Sequence, residues 1–150
     1  MRKKIAIFLQ LSWRARWLLV EAFWRLGLMR AASFWLPFRF LAPYLGTLQQ
    51  EGRRTVTPTQ QAVIDQVGWA VRAMSGYTPW TSNCMAQALT GKWMLQRRGI
   101  PSTLYLGIHK VDERLAAHAW LRAGEGIITG GSDLERYRQV AGFGETHGAS

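Results

Sequence analysis

A chain of 150 residues, 48% hydrophobic and 19% charged, carries enough apolar material for one folded domain and is too apolar for a disordered one. Its single cysteine excludes an intramolecular disulfide and a Cys-rich structural zinc site. The net charge of +10 is concentrated: residues 1–54 hold ten Lys/Arg against Glu21 and Glu51, a net +8, which suits an acidic partner or a membrane surface, and no nucleic-acid-binding motif accompanies it.

Met1-Arg2-Lys3-Lys4 resembles the basic start of a signal peptide, but the apolar run Ile5–Leu9 ends at Gln10 with no small-residue cleavage site. Further apolar stretches are broken by Glu21, Arg25, Arg30 and Arg39, so a transmembrane helix is not expected. The expected location is the cytoplasm, with peripheral membrane contact left open. Residues 11–36 are predicted to form a helix, because Trp13, Trp17, Val20, Trp24 and Leu28 recur at a helical period. Ser12 is its expected N-cap and Pro37 its stop. A short helix over 38–46 and a polar linker over 49–58 follow.

Residues 59–75 predict another helix, with Val63, Val67, Ala70, Val71 and Met74 as its apolar face. Thr81 or Ser82 is expected to cap the next helix, which ends at Gly99 ahead of Pro101. Residues 103–108 and 117–122 predict strands by their β-branched, aromatic and alternating character, joined by a polar turn. Gly124 and Glu125 predict a hairpin into a third strand, 126–129. Residues 130–143 are expected to be a Gly-rich turn and a tail anchored by Leu134, Tyr137, Val140 and Phe143. Residues 144–150 are expected to fray. Helices followed by an antiparallel sheet define an α+β fold.

Cys84 falls in the first turn of its predicted helix. A helix N-terminus favours thiolate, and its unpaired N–H groups can hold an oxyanion. His118, 34 residues later on an alternating strand, can serve as general base if that strand lies beside the start of the cysteine helix. His109, at a strand end, and His147, in the tail, are weaker candidates. A third group orients the histidine in such sites. Asp133 is the first choice, Glu125 in the hairpin the second, and Asp133 is equally well read as a cap for a helical segment starting at Leu134.

Four stretches together are similar to the transglutaminase-like proteases of lasso-peptide biosynthesis: Trp80 through Leu89 around Cys84, Leu95 through Pro101, Leu106-Gly107-Ile108, and Ala117 through Leu121 around His118. Trp13 through Leu19 and Leu36 through Arg39 share that resemblance, which runs over most of residues 10–143. It implies a papain-like or transglutaminase-like core, residues 56–150, in which the nucleophile helix packs on a small antiparallel sheet. A basic, Trp-rich helical extension, residues 1–55, precedes it. It also implies a Cys-His-Asp cysteine protease, without metal or cofactor, that removes the leader from a ribosomal precursor peptide. Cys84 and His118 match the family motif directly. The family's aspartate at the end of the next strand is matched here by Thr129-Gly130-Gly131-Ser132, with Asp133 slightly later. Asn83, Trp80 and Trp120, beside these residues, are the expected oxyanion and substrate-binding groups. The implied partners are a separate leader-recognition protein and an ATP-dependent macrolactam synthetase. An acyltransferase using the same dyad, and a non-catalytic basic module that binds a membrane or a partner, are the alternative readings.

Overall fold

The computed structural model describes residues 2–78 and 83–145. Its helices are α1 (Arg2–Gln10), α2 (Trp13–Trp35), α3 (Phe38–Leu41), α4 (Pro58–Ser75) and α5 (Cys84–Arg97). Its strands are β1 (Thr47–Leu48), β2 (Ser102–Val111), β3 (Arg114–Ala123), β4 (Gly126–Thr129) and β5 (Arg138–Gly144), all antiparallel in the order β1-β5-β2-β3-β4. Helices and an antiparallel sheet give the expected mixed class.

The caps explain where the helices start. Ser12 accepts from the Ala15 amide at 3.3 Å, as expected. Thr57 and Gln60 exchange hydrogen bonds in a capping box, and Pro58 occupies the first turn of α4, where its missing N–H costs nothing. For α5 the cap is Asn83, whose side chain accepts from the Ala86 amide at 2.9 Å. Thr81 and Ser82, the expected caps, lie outside the described residues.

One core joins the layers. Leu19, Ala22 and Leu26 of α2 are buried with Ile64, Val67, Ala70 and Val71 of α4, and with Leu89, Met94 and Leu95 of α5. Leu104, Ala119, Leu121 and Phe143 close it from the sheet. Burying each of these leucines contributes about 1.5–3 kcal/mol. The residues that reveal α2 as a helix are not the ones it buries. Trp13, Trp17, Val20, Trp24 and Leu28 all face outward, and the opposite stripe packs.

The sheet exceeds expectation in two ways. The β2–β3 hairpin turns tightly on Asp112 and Glu113, so both strands run longer than predicted. The expected tail is instead β5, paired with both β1 and β2. There Phe143 is buried as predicted, whereas Val140 is exposed. Gly144, expected to fray, pairs with Thr47 and Thr103, and Glu145 ties the end of β5 to Lys92.

Candidate active site

Cys84 is the first residue of α5, half-buried at the margin of the core. Asn83 fixes this end of the helix. Its side chain takes the Ala86 amide, and its carbonyl accepts from the Gln87 amide at 3.0 Å. Helix geometry gives the amides of Cys84 and Met85 no intrahelical acceptor, so they point out of the helix start beside the sulfur. That arrangement suits a thiolate and a developing oxyanion. It uses Asn83 as the cap that orients the helix end.

His118 stands on β3 opposite Gly107 of β2. Its Nε2 lies 2.7 Å from the Gly130 carbonyl oxygen. A carbonyl only accepts, so Nε2 is the donor in this contact. The ring is stacked on Tyr137 at 4.8 Å and on Trp120 at 5.9 Å, and Trp120 in turn stacks on Tyr105 at 5.6 Å. Trp120 is buried and supports the imidazole from below.

Two glycines make room for this stack. A Cβ on Gly107 would sit 2.7 Å from the Trp120 ring and 3.1 Å from the Tyr137 Cβ. Gly130 turns the chain with φ +72°, and a Cβ there would lie 2.4 Å from the Ala119 carbonyl oxygen. Only glycine combines that backbone with so close an approach.

A buried polar clamp holds the far end of the same sheet face. Arg122, 3% exposed, donates to the Tyr105 hydroxyl at 3.0 Å, the Gly124 carbonyl at 2.6 Å, the Gly52 carbonyl at 2.9 Å and Thr103 Oγ1 at 2.9 Å. Tyr105 donates to Glu51 at 3.0 Å, and that hydrogen bond holds the Glu51 carboxyl below the usual carboxylate range. The clamp fastens the segment before α4 onto the sheet and fixes Tyr105 beneath Trp120.

Among the described residues no hydrogen bond joins Cys84 to His118. The alternation of β3 is the reason. Ala119 and Leu121 face the helices, while His118, Trp120 and Arg122 face the aromatic and polar side. The pairing of β3 with β4 stops at Leu121↔Thr129, so β3 is an open edge at His118.

Asp133 also stays apart from the imidazole. It is exposed, with φ +55°, just before the 3₁₀ turn Leu134–Arg136, and its side chain makes no cap hydrogen bond. The place facing Nε2 belongs to the Gly130 carbonyl. Glu125 is exposed in its hairpin, 3.7 Å from Arg54. His109 meets the edge of Tyr137 at 5.8 Å. Trp80 and His147 lie outside the described residues. No cluster of three His, Cys, Asp or Glu side chains suited to a metal occurs among the described residues.

Sequence reasoning missed Gly130, because a backbone carbonyl has no side-chain signature. It also missed the role of Tyr137, which it took only as an anchor.

A cysteine at the start of a buried helix, packed on an antiparallel sheet that carries a histidine, is the framework of a transglutaminase-like enzyme. Residues 32–142 match the family model described as the transglutaminase-like superfamily, and the chain belongs to that superfamily. Its members are generally catalytic, of cysteine-protease or acyltransferase type. No curated protein and no solved structure matches the chain.

Proposed function

We propose that this protein is a cysteine peptidase that removes the leader from a ribosomally made lasso precursor peptide. The observation that carries the reading is the position of Cys84, the first residue of an Asn83-capped helix within a transglutaminase-like domain. The residue-level resemblance around Cys84 and His118 supplies the substrate class.

In the proposed reaction His118 takes the proton of the Cys84 thiol, the thiolate attacks the carbonyl of the last leader residue, and the amides at the start of α5 hold the oxyanion. His118 protonates the departing core amine. It then takes a proton from water, whose hydroxide releases the leader as a free acid and restores the thiol. His118 holds the Gly130 carbonyl and no bond to Cys84 in the resting structure, so we assign to precursor binding a rearrangement of this end of β3 that turns the imidazole toward Cys84. That closure is the demanding step, since alternation along β3 turns His118 from the helix face. A separate leader-recognition protein would deliver the precursor. An ATP-dependent macrolactam synthetase would consume the freed amine.

The test mixes the full chain with precursor peptide and recognition protein and reads product mass. Hydrolysis adds one water to the pair of fragments. Transfer to an added amine would instead indicate the acyltransferase reading. Cys84→Ala should keep its melting profile and lose all cleavage, and normal processing by that variant would end the proposal.

A further inference from the structure

We propose that the outward face of α2 rests on an anionic lipid surface. This goes beyond the peptidase reading and is independent of it.

Trp13, Trp17, Val20, Trp24 and Leu28 recur along one side of a 23-residue helix. The three tryptophans are 67%, 55% and 68% exposed, although the opposite side of the same helix is buried in the core. A helix that needed only to pack would have no use for a second apolar stripe. At 1.5 Å per residue the helix is about 35 Å long, and the stripe runs along most of it.

Charge selects the occupant. At the α-helical period exposed Arg14 falls on one flank of the stripe with Arg25, which stacks on Trp93, and Glu21, which is paired with Arg98; Arg16, which donates to the Leu9 and Leu11 carbonyls, and half-buried Arg30 fall on the other. The preceding α1 adds Arg2, Lys3 and Lys4, all exposed. Residues 1–54 hold a net +8. An apolar stripe rich in tryptophan between basic flanks matches the boundary between acyl chains and anionic headgroups. Indole is amphipathic and settles at that depth. No helix among the described residues is long and apolar enough to cross a membrane. The contact is therefore in the plane of the interface, with α5 on the side away from lipid.

An apolar groove of about 580 Å³ between α1, α2 and α4 continues the same surface, with Val20 and Trp24 on one wall and Ile5 and Tyr77 on the other. The stripe thus belongs to a broader apolar face.

The test is co-sedimentation of the full chain with phosphatidylcholine vesicles, with and without phosphatidylglycerol. Binding is expected on the anionic vesicles and should weaken by about tenfold or more on neutral vesicles or at high salt. Trp17→Ser combined with Trp24→Ser should also weaken it by about tenfold, with an unchanged melting temperature because neither side chain is in the core. Arg14→Glu provides a second variant that acts on charge alone and should likewise reduce binding. Binding to neither vesicle, or binding that all these substitutions leave intact, would overturn the proposal. So would concentration-dependent self-association in lipid-free buffer that the paired Trp substitutions abolish, because the stripe would then be a contact between copies. Shielding of Trp17 from an aqueous quencher by the leader-recognition protein without lipid would overturn it as well.

Discussion

His118 gives its Nε2 proton to the Gly130 carbonyl oxygen, 2.7 Å away, and not to a carboxylate. In the neutral ring the bond sets the tautomer and leaves the Nδ1 lone pair free, the atom that the proposed peptidase reaction would use as base. A carbonyl supplies orientation without charge. If it fills the place of the third group, Asp133 is dispensable: Asp133→Asn should keep precursor cleavage within about twofold of the parent. His118→Ala should lower the rate by about 10² to 10⁴, the usual worth of a positioned acid–base group. Both are read by initial rates of leader release. A loss in Asp133→Asn as deep as in His118→Ala would mean that Asp133 reaches the imidazole during turnover.

The glycines around that imidazole predict a second effect. Gly130→Ala places a Cβ 2.4 Å from the Ala119 carbonyl, in a backbone conformation that L-residues avoid. It should cost about 2–4 kcal/mol, the sum of left-handed strain and a backbone clash. Gly107→Ala meets a ring 2.7 Å away, which can shift. Its cost should be smaller, about 1–3 kcal/mol as for other overpacked sites. Urea denaturation measures both. Gly107→Ala should also lower activity, since the displaced Trp120 ring supports His118.

What the sequence disclosed, and what it hid, follows from which physical signals are local. Thr57-Pro58-Thr59 marks the start of α4, because proline suits a first helical turn, whereas the capping box with Gln60 appears only in the structure. The tryptophan period reveals α2 as a helix. It does not reveal the packed face, because Leu19, Ala22 and Leu26 form an equally apolar opposite side. Strand β5 is hidden in the sequence: Gly142 and Gly144 weaken its strand character, and what holds it is pairing with residues 30 to 41 positions away in β2 and 95 to 97 positions away in β1. The Ala-His-Ala-Trp alternation predicts a strand through His118 but is silent on which face meets the helices. Only the core shows that Ala119 and Leu121 do.

Glu51 predicts acid sensitivity. The Tyr105 hydrogen bond, followed by the charges of Arg122 and Arg54, holds its pKa below the ordinary 4.5. The unfolded chain therefore takes up a proton first as pH falls. The stability from this group is complete above about pH 4.5 and is lost as pH drops through the lowered native value. Glu51→Gln should match the parent at pH values below the lowered native one and be less stable near neutrality by the amount that its acid limb flattens, a small amount because half of the Glu51 side chain is exposed. An acid limb identical to the parent's would show that Tyr105 binds the neutral form equally well.

Lys92 makes the opposite demand. Its side chain is fully buried, with Nζ 3.0 Å from Glu145, 2.9 Å from the Ser102 carbonyl and 3.2 Å from Ser102 Oγ. Burial pulls its pKa below the ordinary 10.5, against the upward pull of Glu145. The folded protein therefore releases this proton before the unfolded chain does, and Lys92 makes stability rise with pH between the lowered native value and 10.5. Replacing Lys92 with Met should remove that rise. It should also leave stability within about 1 kcal/mol of the parent, because an apolar chain of similar length avoids the desolvation cost that the pair only offsets. Glu145 would keep Gln96 and the Ser102 amide as partners. Glu145→Gln is the harsher change. It strands an ammonium group in the core and should cost about 2–4 kcal/mol, less than a wholly buried pair because solvent reaches Glu145. Thermal unfolding of the three proteins across alkaline pH separates these outcomes, and a Glu145→Gln variant as stable as the parent would mean that the Ser102 oxygens alone solvate the charge.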